Sequence, residues 1–286
     1  MTDAASDEDG LDDSDRRTAV RDRYADVATG SSCCGGDDSA PGVSADEARK
    51  LGYSDGDLDA VDGDANMGLG CGNPTAIAGL DEGETVLDLG SGGGFDCFLA
   101  ARAVGPTGEV VGVDMTPEMV ETARENAEIN DAENVEFRLG EIEHLPVADA
   151  SVDVILSNCV VNLSPDKPQV FREAHRVLRP GGRLAISDVV LTDDLPDEVR
   201  ADPASVTDCV AGAASIPALD GMLADAGFVD VSIEPKDDSD EFIREWDPER
   251  DPSDYVVAAT IEAEKPPTDD VPAESDSVGA SRGSVD

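Results

Sequence analysis

Histidine is nearly absent from these 286 residues. His144 and His175 are the only two, which leaves few imidazoles for general-base work. His175 reads as a structural residue of a helix. Lysine is scarce too, standing at Lys50, Lys167, Lys236 and Lys265. Against 65 acidic residues there are 20 basic ones, so the formal net charge is −45. Such a chain repels nucleic acid and anionic membrane surfaces, and neither is expected as a partner. The acids are spread along the whole chain, which reads as adaptation to very high salt rather than as a dedicated cation site. Aromatic residues make up 3%, so the core must rest on Val, Leu, Ile and Ala. No apolar run approaches the ~20 residues of a membrane helix. The acidic start lacks an apolar stretch, so no signal peptide is expected and the chain is read as cytoplasmic. No Cys-x-x-Cys occurs, which sets aside an ordinary zinc knuckle or thioredoxin motif. In a reducing compartment the six cysteines read as ligands or redox groups rather than a disulfide framework.

The order of apolar segments predicts an α/β fold. Short apolar runs at 85–89, 109–113, 135–139, 152–157 and 183–190 alternate with helical patterns at 95–104, 117–129 and 168–178. Such alternation implies βαβ units, a parallel sheet and right-handed crossovers. Pro180-Gly-Gly182 is expected to turn the chain into the fifth strand. Closing strands are expected at 228–234 and 255–261, after helices near 197–211 and 217–226. The division expected is a disordered acidic segment 1–15, a helical, Cys-containing lid 16–68, a core 69–190, a substrate-side insertion with closing strands 191–263, and a disordered tail 264–286.

Asp88-Leu-Gly90-Ser91-Gly92-Gly-Gly94 ends the first strand. Glycines there let the backbone turn sharply and approach a ligand at the carboxyl end of the sheet. Asp114 ends the next strand, followed by Met115, and its carboxylate suits the two hydroxyls of a ribose. A dinucleotide is the competing ligand. The acid just before the first glycine favours S-adenosylmethionine, because Asp88 suits an ammonium group and not a pyrophosphate. Glu141 and Ile142, after strand three, are candidates to flank the adenine.

Of the cysteines, Cys97 lies inside a helix and reads as a small core residue. Cys159 follows Asn158 at the carboxyl end of strand four. Cys71 sits in a glycine-rich segment before strand one, and Cys209 in the insertion after strand five. These three are placed to converge on the face where the cofactor binds.

Two levels of resemblance follow. Val86-Leu-Asp-Leu-Gly-Ser-Gly-Gly-Gly94, Leu145-Pro-Val-Ala-Asp-Ala-Ser-Val-Asp153 and Arg176-Val-Leu-Arg-Pro-Gly-Gly182 resemble the class I methyltransferases. That resemblance implies a Rossmann-like fold with a mostly parallel, seven-stranded sheet flanked by helices. Cys33-Cys34-Gly35, Gly70-Cys-Gly-Asn-Pro74, Ser157-Asn-Cys-Val-Val-Asn-Leu163 and Cys209-Val-Ala-Gly-Ala213 resemble the arsenite methyltransferases. The order of these motifs and the 50-residue gap from Cys159 to Cys209 match that family. The resemblance implies Cys159 and Cys209 as core As(III) ligands, with Cys71 completing or exchanging within the set. One of Cys33 and Cys34, preferably Cys34, would deliver arsenic or form a disulfide with Cys71 after turnover. Arsenite or its thiol conjugate would be the substrate, and thioredoxin or a small thiol the reductant. A monomer is expected. Two other readings stay open. Methyl transfer to a small metabolite of quinone or sterol type leaves the three cysteines idle. A non-catalytic soft-metal thiol site leaves Asp88, Asp114 and the glycines idle.

Overall fold

A computed structural model describes residues 12–30, 45–200, 209–236, 238–247 and 250–268. Five strands form the first part of its sheet: β1 (Thr85–Leu89), β2 (Glu109–Asp114), β3 (Val135–Leu139), β4 (Val152–Asn158) and β5 (Leu178–Leu191). After them come β6 (Ala214–Ser215), β7 (Val229–Pro235) and β8 (Val256–Glu264). The sheet runs β3-β2-β1-β4-β5-β8-β7, with the two-residue β6 paired to β5 outside that path. The pairs from β3 to β5 are parallel, and β8 is antiparallel to both β5 and β7. The expected seven-stranded, mostly parallel sheet is therefore present, with a short eighth strand in addition.

Helices α1 (Asp13–Ala28), α2 (Ala45–Lys50), α3 (Asp55–Leu58) and α4 (Pro74–Ala78) precede the sheet. The crossovers are α5 (Phe95–Val104), α6 (Pro117–Ile129) and α7 (Lys167–Val177). Downstream are α8 (Asp197–Arg200), α9 (Ile216–Ala226) and α10 (Asp240–Trp246). In α7 the residues Val170, Phe171, Ala174 and Val177 are buried, a spacing that makes one apolar face. Most of α5 is buried instead, because it packs against β1, β2, β3 and α4. One apolar cluster covers one face of the sheet around Phe171, Ile155 and Leu223. A second covers the other face around Phe98, Val86 and Leu156. At ~25 cal/mol per Å² of buried apolar area, these two layers supply most of the driving force for folding.

Three departures from the sequence reading have physical causes. β5 begins at Leu178, so Pro180-Gly-Gly182 lies within the strand; Gly181 takes φ +79 and the pairing with β4 shifts register there. A bulge accommodates the proline without ending the strand. Cys209 lies in a turn rather than inside the helix expected at 197–211; α8 covers 197–200, and 201–208 lie outside the described residues. Helix α10 arose where only a polar segment was read; Phe242 and Ile243 are buried there among the residues around Cys159.

Candidate functional site

The chain crosses from β3 on one side of β1 to β4 on the other, so the loops after β1 and β4 diverge side by side. Open α/β sheets bind ligands at such a switch point. Register places Leu89 opposite Ser157, which sets Gly90 and Asn158 at adjacent carboxyl ends. Gly90 has φ +71, and a Cβ there would crowd Val160, the residue after Cys159. The two loops thus touch, and only glycine permits both the turn and the approach.

One cavity opens above these loops. Of the residues expected to bind the cofactor, Asp88, Gly90, Ser91, Gly92, Asp114, Met115, Ile142 and Asn158 line it. Gly94 does not; it caps the N-terminus of α5 with φ +94. Glu141 does not either, its side chain being half exposed. Glu143, two residues on, is buried in the wall and accepts a 2.6 Å hydrogen bond from Ser164. Asp114 accepts from the Gly92 N–H (3.0 Å) and the Thr116 N–H (2.9 Å), which fixes its carboxylate at the rim of the glycine loop.

Asp88 is 3% exposed, and Asp96 of α5 is enclosed in the same wall. Burial pushes the Asp88 carboxyl up to about 8, with Asp96 adding to the rise, and burial pushes Asp96 up to about 6. Among the described residues no lysine or arginine pairs with either. A buried and a half-buried carboxylate facing one cavity with no cation of their own fit a positively charged ligand, such as the sulfonium and ammonium of S-adenosylmethionine. Tyr53 donates to Asp96 Oδ1 at 2.8 Å. The Asn158 amide is shared among Gly72 O (2.7 Å), Tyr53 Oη (3.0 Å) and Asp96 Oδ2 (3.2 Å). Asp96 and Tyr53 were not read from the sequence. The acid at the second position of α5 was a legible signal; Tyr53 lies outside every motif.

The cysteines gather beside this wall. Asn158 Oδ1 accepts from the Cys71 N–H at 3.1 Å, which ties the Cys71 loop to the end of β4. The Cys159 N–H donates to Ser187 O at 2.8 Å, and Cys159 lines the cavity. Cys209 Sγ donates to Cys159 O at 2.8 Å. Cys71, Cys159 and Cys209 are all buried. Burial raises the Cys159 thiol well above its ordinary range, and hydrogen bonds with the Cys209 and Cys71 thiols raise it further. Cys159 has φ +58 and Cys209 φ +66, left-handed backbone that side-chain-bearing residues seldom adopt. Strain of this kind persists where the surrounding structure imposes it, and it clusters at functional sites.

Asp188 of β5 was missed by the sequence reading, because it sits inside an apolar strand with no motif around it. The Sγ atoms of Cys71 and Cys159 and a carboxylate oxygen of Asp188 lie within 4.8 Å of one another. Asp188 is 1% exposed and raised to about 6, chiefly by burial. It accepts from Asn162 Nδ2 (2.8 Å) and from the N–H groups of Val189 (2.8 Å) and Asn162 (3.2 Å). Cys97 is buried in α5 as expected, and donates to Asp88 Oδ2 at 3.3 Å. His175 stacks edge-on against Phe228, 5.3 Å between ring centres, in keeping with a structural role. Cys33 and Cys34 lie outside the described residues. No described helix is long and apolar enough to cross a membrane.

Comparison with known proteins places the chain among methyltransferases. The methyltransferase-domain family matches residues 80–231. An arsenite methyltransferase of Halobacterium salinarum is 58% identical over 269 residues, covering 91% of this chain and 69% of that protein. The human arsenite methyltransferase is 44% identical over 137 residues, covering 45% of this chain and 36% of that protein. The crystal structure of an arsenic(III) S-adenosylmethionine methyltransferase from Chlamydomonas reinhardtii superposes with a TM-score of 0.58 at 36% identity. That match covers 78% of this chain and 74% of the algal one. A glycine loop with two uncompensated carboxylates, three gathered thiols and these relatives lead to one conclusion: the chain belongs to the arsenite methyltransferases, S-adenosylmethionine-dependent enzymes of the class I methyltransferase fold.

Proposed function

We propose that this chain methylates trivalent arsenic, taken as arsenite or its thiol conjugate, in a pocket formed by Cys71, Cys159 and Cys209. The position of Cys159 carries the reading. It lines the cofactor cavity, and its sulfur lies within 4.8 Å of the Cys71 sulfur and an Asp188 oxygen. Trivalent arsenic is soft and is selected by sulfur ligands. Each As–S bond forms as a thiol replaces a hydroxyl of arsenite, and the thiol proton leaves with that hydroxyl as water. A Cys159 thiol kept protonated by burial suits this exchange, which consumes no base. Three sulfurs leave arsenic one lone pair.

S-adenosylmethionine supplies a methyl carbon on a positively charged sulfur. With the donor bound, Asp88 and Asp96 would hold that positive charge, and Asp114 would hold the ribose. When the arsenic lone pair forms the As–C bond, the C–S bond breaks and the donor sulfur leaves as a neutral thioether. Arsenic then stands two oxidation levels higher, so two electrons must return it to the trivalent state. Cys71 and one of Cys33 and Cys34, with Cys34 preferred, supply them by closing into a disulfide. Thioredoxin or a small thiol then reduces that disulfide in a separate step and itself leaves oxidised, as a disulfide. Holding both reactants in one cavity is the main source of rate, since no proton leaves the nucleophile. The same reading has the protein act as a monomer in the cytoplasm.

Cys159→Ser and Cys209→Ser should abolish arsenite methylation, followed by mass spectrometry of products from arsenite, labelled donor and a thiol. Calorimetric binding of the donor should be unchanged in both. Methylation at the normal rate by either variant removes the thiol pocket from the proposal.

A further inference from the structure

We propose that Arg16 is a positioning residue for the thiol pocket: its guanidinium, carried on α1, seats the Cys159 and Cys209 loops together and so sets the spacing of their sulfurs. The inference rests on the thiol-site reading above. Arg16 Nη2 donates to Asn162 O at 2.9 Å, and Nε donates to Leu163 O at 3.3 Å. Both carbonyls belong to the short turn Val161–Leu163 that follows Cys159.

The same guanidinium bears on the Cys209 loop. A Cβ built on Gly212 would overlap both Asn162 O and Arg16 Nη2. The backbone of Cys209–Ala213 therefore lies directly against the pair that Arg16 forms with the Cys159 turn. Glycine at 212 is what this close approach demands. Asn162, whose carbonyl Arg16 holds, turns its own amide to Asp188 Oδ1 (2.8 Å) and Val189 O (2.6 Å). Asp188 is the carboxylate that stands within 4.8 Å of the Cys71 and Cys159 sulfurs. One cation from the N-terminal helix thus lies at the junction of the two loops and, through Asn162, one hydrogen bond away from Asp188.

The rest of α1 is consistent with this seat. Val20 is buried, and Arg17, Val20 and Tyr24 line the cofactor cavity. A planar fork that donates to two carbonyls at once is a property of arginine, and a lysine ammonium on a flexible stem does not reproduce it. Merely fastening α1 would demand no such contact with the two loops that carry the ligand sulfurs.

The test uses the full chain and two variants, Arg16→Ala and Arg16→Lys. Arsenite binding is measured by calorimetry with arsenite alone, donor binding separately, and turnover at varied arsenite. Arg16→Ala should weaken arsenite binding at least tenfold and raise the KM for arsenite by a similar factor. Donor affinity should stay within twofold of the parent. Arg16→Lys, which keeps the charge and loses the fork, should fall between. If Arg16→Ala binds arsenite as the parent does, the inference fails. Should Arg16→Ala not fold, parent-like arsenite affinity in Arg16→Lys overturns it equally. A parallel loss of donor and arsenite binding in both variants also overturns it, since that marks general support of the fold. A parent chain that binds no arsenite at all would instead remove the thiol-site reading.

Discussion

In the proposed donor site, Asp88 trades stability for binding. Its carboxyl is raised to about 8 because burial disfavours the charge, and Asp96 is raised to about 6 for the same reason. A carboxyl raised on folding binds more protons in the folded state than in the unfolded one. The unliganded protein therefore loses stability as pH climbs from about 4, the unfolded value, toward 8. A cationic ligand reverses the sign, because it favours the ionised carboxylates. Donor affinity should accordingly weaken as pH falls from 7.5 to 6, with protons taken up from buffer on release of the donor. Asp88→Asn should stabilise the unliganded chain at pH 8 by about 1–3 kcal/mol, the range for an uncompensated buried polar group. It should bind the donor at least tenfold more weakly. A lower melting midpoint together with unchanged donor affinity would refute the assignment. At this scale the sequence was partly legible. Asp88 and Asp114 were read from spacing, because the glycine loop and strand order fix where their side chains go. Asp188 and Tyr53 were not, because what distinguishes them is their neighbours in space.

Among elements, the contact between the loops after β1 and β4 joins the proposed donor site to the proposed thiol site. A Cβ on Gly90 would meet Val160 Cγ1 at 2.6 Å, and Gly90 also needs φ +71. Gly90→Ala should therefore cost more than the ~1–2 kcal/mol of a left-handed alanine alone. It should also displace the backbone beside Cys159, lowering both donor and arsenite affinity. Adding Val160→Ala removes the crowding atoms but not the backbone penalty. The double variant should recover part of the lost stability, a coupling that a thermal double-mutant cycle would read as roughly 0.5–3 kcal/mol. Strict additivity would show that the two loops do not press on each other. The expected strands β1 to β4 and helices α5 to α7 emerged within a residue or two, because period-two and period-3.6 patterns are local. The bulge in β5 and helix α10 were hidden. A proline and two glycines read as a turn until a neighbouring strand pairs across them.

At the scale of the molecule, the charge of −45 opposes compaction. Several ion pairs bind Arg to acids on the surface, such as Arg138 with Glu136 and Arg244 with Asp240, but exposed pairs of this kind contribute at most ~1 kcal/mol each. Screening by salt has the greater effect, since the Debye length falls from about 10 Å at 0.1 M to about 3 Å at 1 M. The melting midpoint should rise by about 5 °C or more between 0.1 M and 2 M potassium chloride, measured calorimetrically at constant pH. A midpoint that is flat or falls with salt would contradict the reading of the acidity as salt adaptation.

Local chemistry was enough to determine the sheet-and-helix alternation, the glycine loop with its two acids, and the candidacy of Cys71, Cys159 and Cys209, because each depends on residues close in sequence. What the tertiary structure decided is which groups share a cavity: Asp96 with Asp88, Asp188 with two thiols, Glu143 in place of Glu141, and Arg16 with loops about 146 and 196 residues away. Such pairings follow from strand order and loop closure, which depend on contacts between distant segments and carry no local pattern.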